Sequence, residues 1–238
     1  MDLSVLALAA LSVLVGAVAQ GTIGLGVGLM AAPVVAMLDP TLMPGGVLIL
    51  GFVMPFLTLA NEWRHVDWRD AGWLIGARTL TTPLGLLLLT WVPASAIGVV
   101  VGTGVLLAVG LTVWRLDVGV SPRNLAIAGA VGGVSGTAAS IAGPPAAIVL
   151  QHQHGPRLRA TLAAFFCAGS AVSLAALSAG GRLTARQIEY GVSWIPALMV
   201  GFAVAVPLQR RLHGPRLRSA VLTLAALSAV AAILKALL

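Results

Sequence analysis

The chain is a succession of long apolar segments, and this feature most limits the folds open to it. About 20 apolar residues let an α-helix cross the roughly 30 Å hydrocarbon core of a bilayer. Since 59% of the residues are hydrophobic and only 9% are charged, against about 25% charged in soluble domains, we predict an all-α polytopic membrane protein. Six segments predict one crossing helix each: residues 44–62, 71–91, 96–114, 160–179, 188–208 and 219–238.

The charged residues and the single cysteine exclude several other classes of protein. The net charge is +7, but the 14 basic residues are spread through short links, so we expect them to set topology and not to bind nucleic acid. Cys167 has no partner for an intrachain disulfide. No carboxylate lies deep in a predicted span, which argues against a proton relay or a metal-ion transporter. We expect no cofactor, no bound metal and no catalytic residue, and a homo-oligomer is possible.

The first apolar segment has some features of a secretory signal peptide. Ala17 and Ala19 have the spacing of a cleavage site, but Asp2 stands where a basic region is normal. We therefore expect this segment to be retained as a helix.

Besides the six predicted crossing helices, the chain has two longer apolar segments, residues 3–38 and 124–151. Each is interrupted by a glycine-rich stretch that ends in proline. These stretches are "QGTIGLGVGLMAAP", Gln20 to Pro33, and "GGVSGTAASIAGPP", Gly132 to Pro145. The second leaves a leading helix of about 11 residues, roughly 16 Å long, which is too short to cross. We predict that both segments are broken helices.

The two broken segments belong to a duplicated unit. Aligning Pro33 with Pro145 places Gly21 on Gly133 and Gly24 on Gly136. Arg64 falls on Arg182 at nearly the same offset. We predict two repeats within one membrane domain, residues 1–116 and 117–238, each with a broken segment followed by three helices.

The distribution of basic residues indicates how the broken segments pass through the membrane. If each crossed once, seven basic residues would lie on one face and six on the other. If each is a re-entrant hairpin, the count is ten against three, which agrees with the positive-inside rule. Each repeat then crosses three times, so the second repeat is inverted relative to the first and both termini lie outside the cytoplasm. The ten are Arg64, Arg69, Arg115, Arg123, Arg157, Arg159, Arg210, Arg211, Arg216 and Arg218, and the three are Arg182, Arg186 and Lys235.

The broken segments are the candidate binding site. Non-helical backbone at membrane depth is tolerated only where protein or a water-filled cavity satisfies its polar groups. Glycine allows the turn, and each following helix presents free N–H groups and a positive dipole end, which favour an anion. The alternative is that the small residues only permit close helix packing. The candidate substrate-binding residues of the two segments are Gln20, Gly21, Thr22, Gly24, Gly26, Gly28, Pro33, Gly133, Ser135, Gly136, Thr137, Ser140, Gly143, Pro144 and Pro145.

Two polar residues in the first repeat complete the candidate site. Arg78 is the only basic residue well within a predicted span. It adds fixed positive charge to an anion path or extends its guanidinium to the membrane surface, and the sequence leaves both open. Asn61 ends a span and is a candidate to line an entrance.

Several of these motifs together resemble the TauE/SafE sulfite-exporter family of membrane permeases. The resemblance rests on "GTIGLGVGLMAAP", "SGTAASIAGPPAAIVL", "RATLAAFF" from Arg159, and "RHVDWR" from Arg64 followed by "GARTLTTPLG". It extends over essentially the whole chain. It implies a duplicated permease that moves small sulfur-containing anions, such as sulfite, sulfoacetate or other sulfonates, across the bacterial inner membrane. The paired glycine- and proline-rich segments are then the core of the substrate path.

Three other functions compete with a transporter. An anion channel would use the same residues but needs a continuous polar path. An intramembrane serine protease is suggested by Gly133-Val134-Ser135-Gly136, yet such a serine needs a nearby base. The histidines, His65, His152, His154 and His213, all lie in links. A purely structural membrane subunit would leave the duplication and the breaks unexplained.

Overall fold

The computed structural model describes residues 3–24, 26–114, 117–153, 155–211 and 215–238, and its regular elements are all helical. The first half contains α1 (Leu3–Ile23), α2 (Gly28–Leu38), α3 (Gly45–Glu62), α4 (Trp68–Trp91) and α5 (Ile97–Val113). The second half contains α6 (Pro122–Ala139), α7 (Gly143–Val149), α8 (Gly155–Ala179), α9 (Ala185–Ser193), α10 (Ile195–Arg211) and α11 (Pro215–Leu237). Short 3₁₀ turns join α2 to α3, α3 to α4, and α4 to α5.

Seven helical stretches in this part of the chain are long and apolar enough to cross a membrane. They include all six predicted spans, and the predicted span 188–208 is formed by α9 and α10 together. The seventh, Val5–Thr22, is the leading arm of the first broken segment. The fold is therefore that of an all-α, multi-pass membrane protein.

Both predicted breaks are present, but they are much shorter than the sequence indicated. The first lies between α1 and α2, where Gly24, Gly26 and Val27 are described and non-helical, and the second comprises only Ser140 to Ala142. The prediction of an 11-residue leading arm in the second segment is wrong, because α6 has 18 residues, or about 27 Å of helix. The length of this arm therefore does not exclude a crossing.

Two glycines of α6 pack directly against α4 within an unbroken helix. Gly129 lies against the backbone of Leu74, and Gly133 lies against the backbone of Arg78. Thr81 Oγ1 also donates to the Ala130 carbonyl at 2.9 Å. Small residues that let two membrane helices approach closely stabilise the pair. For these glycines the packing alternative is the correct one.

Left-handed backbone conformations produce the two breaks. Gly24 and Gly26 have φ of 77° and 91°, and Ser140 has φ of 60°. A residue with a side chain rarely adopts this region, and Ser140 is held there while its Oγ donates to the Pro44 carbonyl at 3.1 Å. After the first break the chain turns back, since Gly16 of α1 lies against Val27 and Met30.

The leading arm of each broken segment packs on a helix from the other half of the chain. Helix α1 lies along α10, and α6 lies along α4. At the centre, α3 runs antiparallel to α8. Gly51 meets Ser170 at one level of this pair, while Glu62 meets Arg159 near its end. The helices of the two halves are therefore interleaved around one core.

Five of the ten basic residues assigned to one face of the membrane have side chains outside the described part of the chain. Arg115 lies outside the described residues, as do the side chains of Arg210, Arg211, Arg216 and Arg218.

Candidate functional site

The two breaks meet around a small central cavity. Gly26 and Gly28 line it from the first break, and Ser140 and Gly143 line it from the second. Its volume is about 30 Å³, which is room for about two water molecules. Both broken segments, which the sequence indicates as the candidate binding site, therefore line one cavity.

Arg78 lies on the wall of this cavity, near the middle of α4. Its side chain is only 1% exposed, so the alternative in which it extends to the membrane surface is wrong. Nη1 donates to the Phe165 carbonyl at 3.4 Å, and Cζ lies 4.8 Å from the centre of the Phe165 ring. Among the described residues, Nε has no hydrogen-bond partner and no ion pair includes Arg78.

Two glycines provide the space that the guanidinium occupies. A Cβ on Gly136 of α6 would lie 3.0 Å from Arg78 Nη2, and a Cβ on Gly169 of α8 would overlap Nε and Cζ. The guanidinium therefore passes between α6 and α8 only because both positions lack a side chain.

The helix ends offer fewer free N–H groups than the sequence suggested. Val27 N donates to Oε1 of Gln20, and Leu29 N donates to the Gly26 carbonyl. Helix α7 begins Gly143-Pro144-Pro145, and proline has no N–H. The prediction that both breaks leave N–H groups free for an anion is wrong at these positions. The positive charge at the cavity comes from Arg78.

Three hydroxyl groups predicted to face a ligand make other bonds. Thr22 Oγ1 donates to the Val18 carbonyl at 2.7 Å within α1. Thr137 Oγ1 lies 2.8 Å from Ser173 Oγ, between α6 and α8. Ser135 Oγ lies 2.6 Å from the Ile141 carbonyl. These hydroxyls support the turns and helix contacts around the cavity.

A second, larger cavity of about 190 Å³ opens beside the central one, and we call it the vestibule. It lies between the end of α3 and the beginning of α8, where Asn61, Glu62 and Arg159 line it. Gln20 and Phe166 line both cavities and so stand at their junction. Because Gln20 Oε1 is bonded to Val27 N, its amide NH₂ is the remaining donor at this junction.

The predicted residues are distributed unequally between the two cavities. The central cavity is lined by Gln20, Gly26, Gly28, Arg78, Gly136, Ser140 and Gly143. The vestibule is lined by Gln20, Gly21, Gly24 and Asn61. The remaining residues line neither, and they are Thr22, Pro33, Gly133, Ser135, Thr137, Pro144 and Pro145.

Sequence reasoning missed the contribution of α3 and α8. Gly51 and Ser170 line the cavity at the point where these helices cross, and Ser170 Oγ donates to the Gly51 carbonyl at 3.1 Å. The stretch "FFCAGSAVS", Phe165 to Ser173, carried a signal, since small residues recur within an apolar helix. Without knowing where the Arg78 side chain lies, we had no reason to assign this stretch, and not another stretch of small residues, to the binding site.

The surroundings of Ser135 give no support to the protease alternative. Its Oγ lies within hydrogen-bond distance of two carbonyl oxygens, those of Val131 and Ile141. His65 and His152 are exposed in links. His154 and His213 lie outside the described residues.

We predict that Gly169→Ala destabilises the protein, because the new methyl group must displace the Arg78 guanidinium. Overpacking of this kind typically lowers the free energy of unfolding by about 1–3 kcal/mol. Thermal unfolding in detergent measures the change. Gly104→Ala is the matched control, since its Cβ would meet nothing closer than 3.5 Å. Equal stability of the two variants would contradict a fixed position for Arg78.

Comparison with known families places the chain in one of them. The sequence model of the sulfite exporter TauE/SafE family matches residues 8–232. Comparison with curated proteins and with solved structures finds no match. The matched region is nearly the whole chain and includes both breaks and Arg78. The chain therefore belongs to the TauE/SafE sulfite exporter family of membrane permeases.

Proposed function

We propose that the protein is a secondary transporter of small sulfur-containing anions such as sulfite, sulfoacetate or other sulfonates. The substrate binds in the central cavity, between the two broken segments, with Arg78 as its counter-charge. The observation that carries this proposal is the buried guanidinium of Arg78, which has an unbonded Nε and belongs to a side chain on the wall of the cavity that both breaks line.

The energetics of a buried charge favour an anionic ligand. A charged group deep in a membrane protein is costly unless it is paired and hydrogen-bonded. Phe165 supplies one long hydrogen bond and a cation–π contact to Arg78, and neither neutralises the charge. Guanidinium donors match the spacing of oxygens in an oxyanion. A sulfite or sulfonate group would provide both the missing charge and the missing acceptor.

The size of the central cavity favours a carrier over a channel. Room for about two water molecules is too little for a four-atom oxyanion with its hydration shell. Side chains must therefore move to admit the substrate, and Gln20 and Phe166 at the junction with the vestibule are placed to do so. A channel would require an open path, whereas a carrier opens its site to one side at a time.

The packing of the helices supports two inverted repeats. If residues 1–116 and 117–238 are repeats, α3 corresponds to α8 and α5 to α11. The first pair is antiparallel, as the contacts of Gly51 and Glu62 indicate. The second is also antiparallel, since Gly98 meets Ala232 and Ala236 while Gly102 meets Ala229. Equivalent helices of opposite direction are expected for inverted repeats.

The orientation follows from the positive-inside rule. We infer that the vestibule opens to the cytoplasm of a bacterial cell, since Arg64, Arg69, Arg157 and Arg159 lie on its face of the protein. Both termini then lie outside the cytoplasm, and the membrane is the bacterial inner membrane.

We predict that Arg78→Gln lowers the uptake of sulfite and sulfoacetate, measured well below saturation, at least tenfold in liposomes that contain the purified protein. Loss of a charged hydrogen-bond donor costs about 1.5–3 kcal/mol of binding, or roughly 10- to 100-fold. Arg78→Lys keeps the charge without the planar fork and should retain part of the transport. Arg69→Gln, an exposed arginine on the same helix, is the control and should transport normally. Wild-type protein that transports none of these anions would refute the proposed function.

We predict that Arg64→Cys and Arg182→Cys are labelled from opposite sides of the membrane by an impermeant thiol reagent. The two arginines are exposed and occupy equivalent links of the proposed repeats. Each substitution is made in a Cys167→Ser chain, so that the new cysteine is the only thiol. Inverted repeats place equivalent links on opposite faces. Labelling of both from one side would show that the repeats are parallel.

A further inference from the structure

The vestibule contains a charge pair that the proposed central site does not use. Arg159, in the first turns of α8, and Glu62, the last residue of α3, both line it. Arg159 Nη2 lies 2.6 Å from Glu62 Oε1, and the two side chains are 35% and 24% exposed. An arginine with partial access to solvent therefore lies on the wall of a cavity of about 190 Å³.

The pair between Arg159 and Glu62 is incomplete. Glu62 Oε2 is buried and accepts no hydrogen bond from the described residues. Arginine and a carboxylate can form two parallel bonds, but here one oxygen carries the whole contact. Leaving a buried oxygen unsatisfied weakens the pair relative to a forked one.

A neighbouring pair on the same face is built differently. Asp67 accepts a hydrogen bond from Arg157, and it also accepts from the backbone N–H groups of Arg69 and Asp70 at 3.1 and 3.2 Å. The hydrogen bond from Arg157 holds the pKa of Asp67 below its usual range. Asp67 is the N-cap of α4, and neither member of this pair lines the vestibule. This pair anchors a helix end.

We propose that the vestibule is a first binding site for the transported anion and that Glu62 occupies Arg159 until the anion displaces it. The ligand class is a small oxyanion with at least two acceptor oxygens on one centre, because such a group can make two bonds to Arg159 where Glu62 makes only one. The displaced Glu62 carboxylate turns toward solvent. This inference rests on the proposed function, since it assumes that the permease carries such anions.

The route onward from the vestibule is short. Gln20 and Phe166 line both cavities, and Gln20 offers its amide NH₂ group at the junction. An anion released by Arg159 therefore has a neutral donor to pass before it reaches Arg78. Two arginines separated by one glutamine give the anion two consecutive positions on a single path.

Binding of sulfite, and separately of sulfoacetate, to the purified protein tests the vestibule, with Arg78→Gln as the background that removes the central site. In that background, Glu62→Gln should tighten binding at least tenfold, because Arg159 is no longer occupied. Arg159→Gln should weaken it at least tenfold. Arg157→Gln is the matched control and should change affinity by less than twofold.

The outcomes separate this inference from the proposed function. Absence of binding to the wild-type protein for both anions would overturn both. Binding to the wild type that Arg78→Gln abolishes, and that Glu62→Gln does not restore, would overturn the vestibule site alone.

A labelling experiment covers the case in which Glu62→Gln fails to fold. Thr58 lines the vestibule, and Thr58→Cys in a Cys167→Ser chain places one thiol there. Sulfoacetate should slow labelling of this thiol at least fivefold, and Arg159→Lys should reduce that protection. Labelling that is indifferent to sulfoacetate would overturn the proposal.

Discussion

The guanidinium of Arg78 is the group around which the centre of this protein is arranged. It lies near the middle of a membrane-spanning helix with 1% exposure, and Nε has no acceptor in the part of the chain that the structure describes. Gly136 and Gly169 leave it space, and the Phe165 ring covers it. Burying a charge with so few partners destabilises the folded protein. Another charged group must therefore compensate it. We infer that the transported anion compensates the charge of Arg78.

The two broken segments provide the cavity in which that compensation takes place. Their turns bring Gly26 and Gly28 opposite Ser140 and Gly143, beside the crossing of α3 and α8. Their N–H groups are largely used within the turns, or absent because of proline. The breaks thus shape the cavity, while a side chain supplies the charge. The vestibule adds a second arginine toward one face, held by an incomplete pair with Glu62.

The sequence predicted the spans and the existence of both breaks, because span length and glycine-proline runs depend on local physics. It overestimated the second break, since Gly133 is helical and packs against α4, and a contact between helices far apart in sequence leaves no local signal. The direction of the Arg78 side chain also depended on contacts between helices that are far apart in sequence. Whether it pointed to the membrane surface or to the core depended on Gly136 and Gly169, which lie far from it in sequence. Gly51 and Ser170 were missed for the same reason.

The most direct test of the central claim is the effect of sulfite on thermal unfolding of wild-type protein and of Arg78→Met. A ligand that binds only the folded state raises its stability by RT ln(1 + [L]/Kd), so sulfite should raise the unfolding temperature of the wild type. Arg78→Met removes the uncompensated charge and should be at least as stable as the anion-free wild type, and sulfite should raise its unfolding temperature clearly less than that of the wild type, because only the vestibule site at Arg159 remains. Equal stabilisation of both proteins by sulfite would contradict the claim that Arg78 and the anion compensate each other.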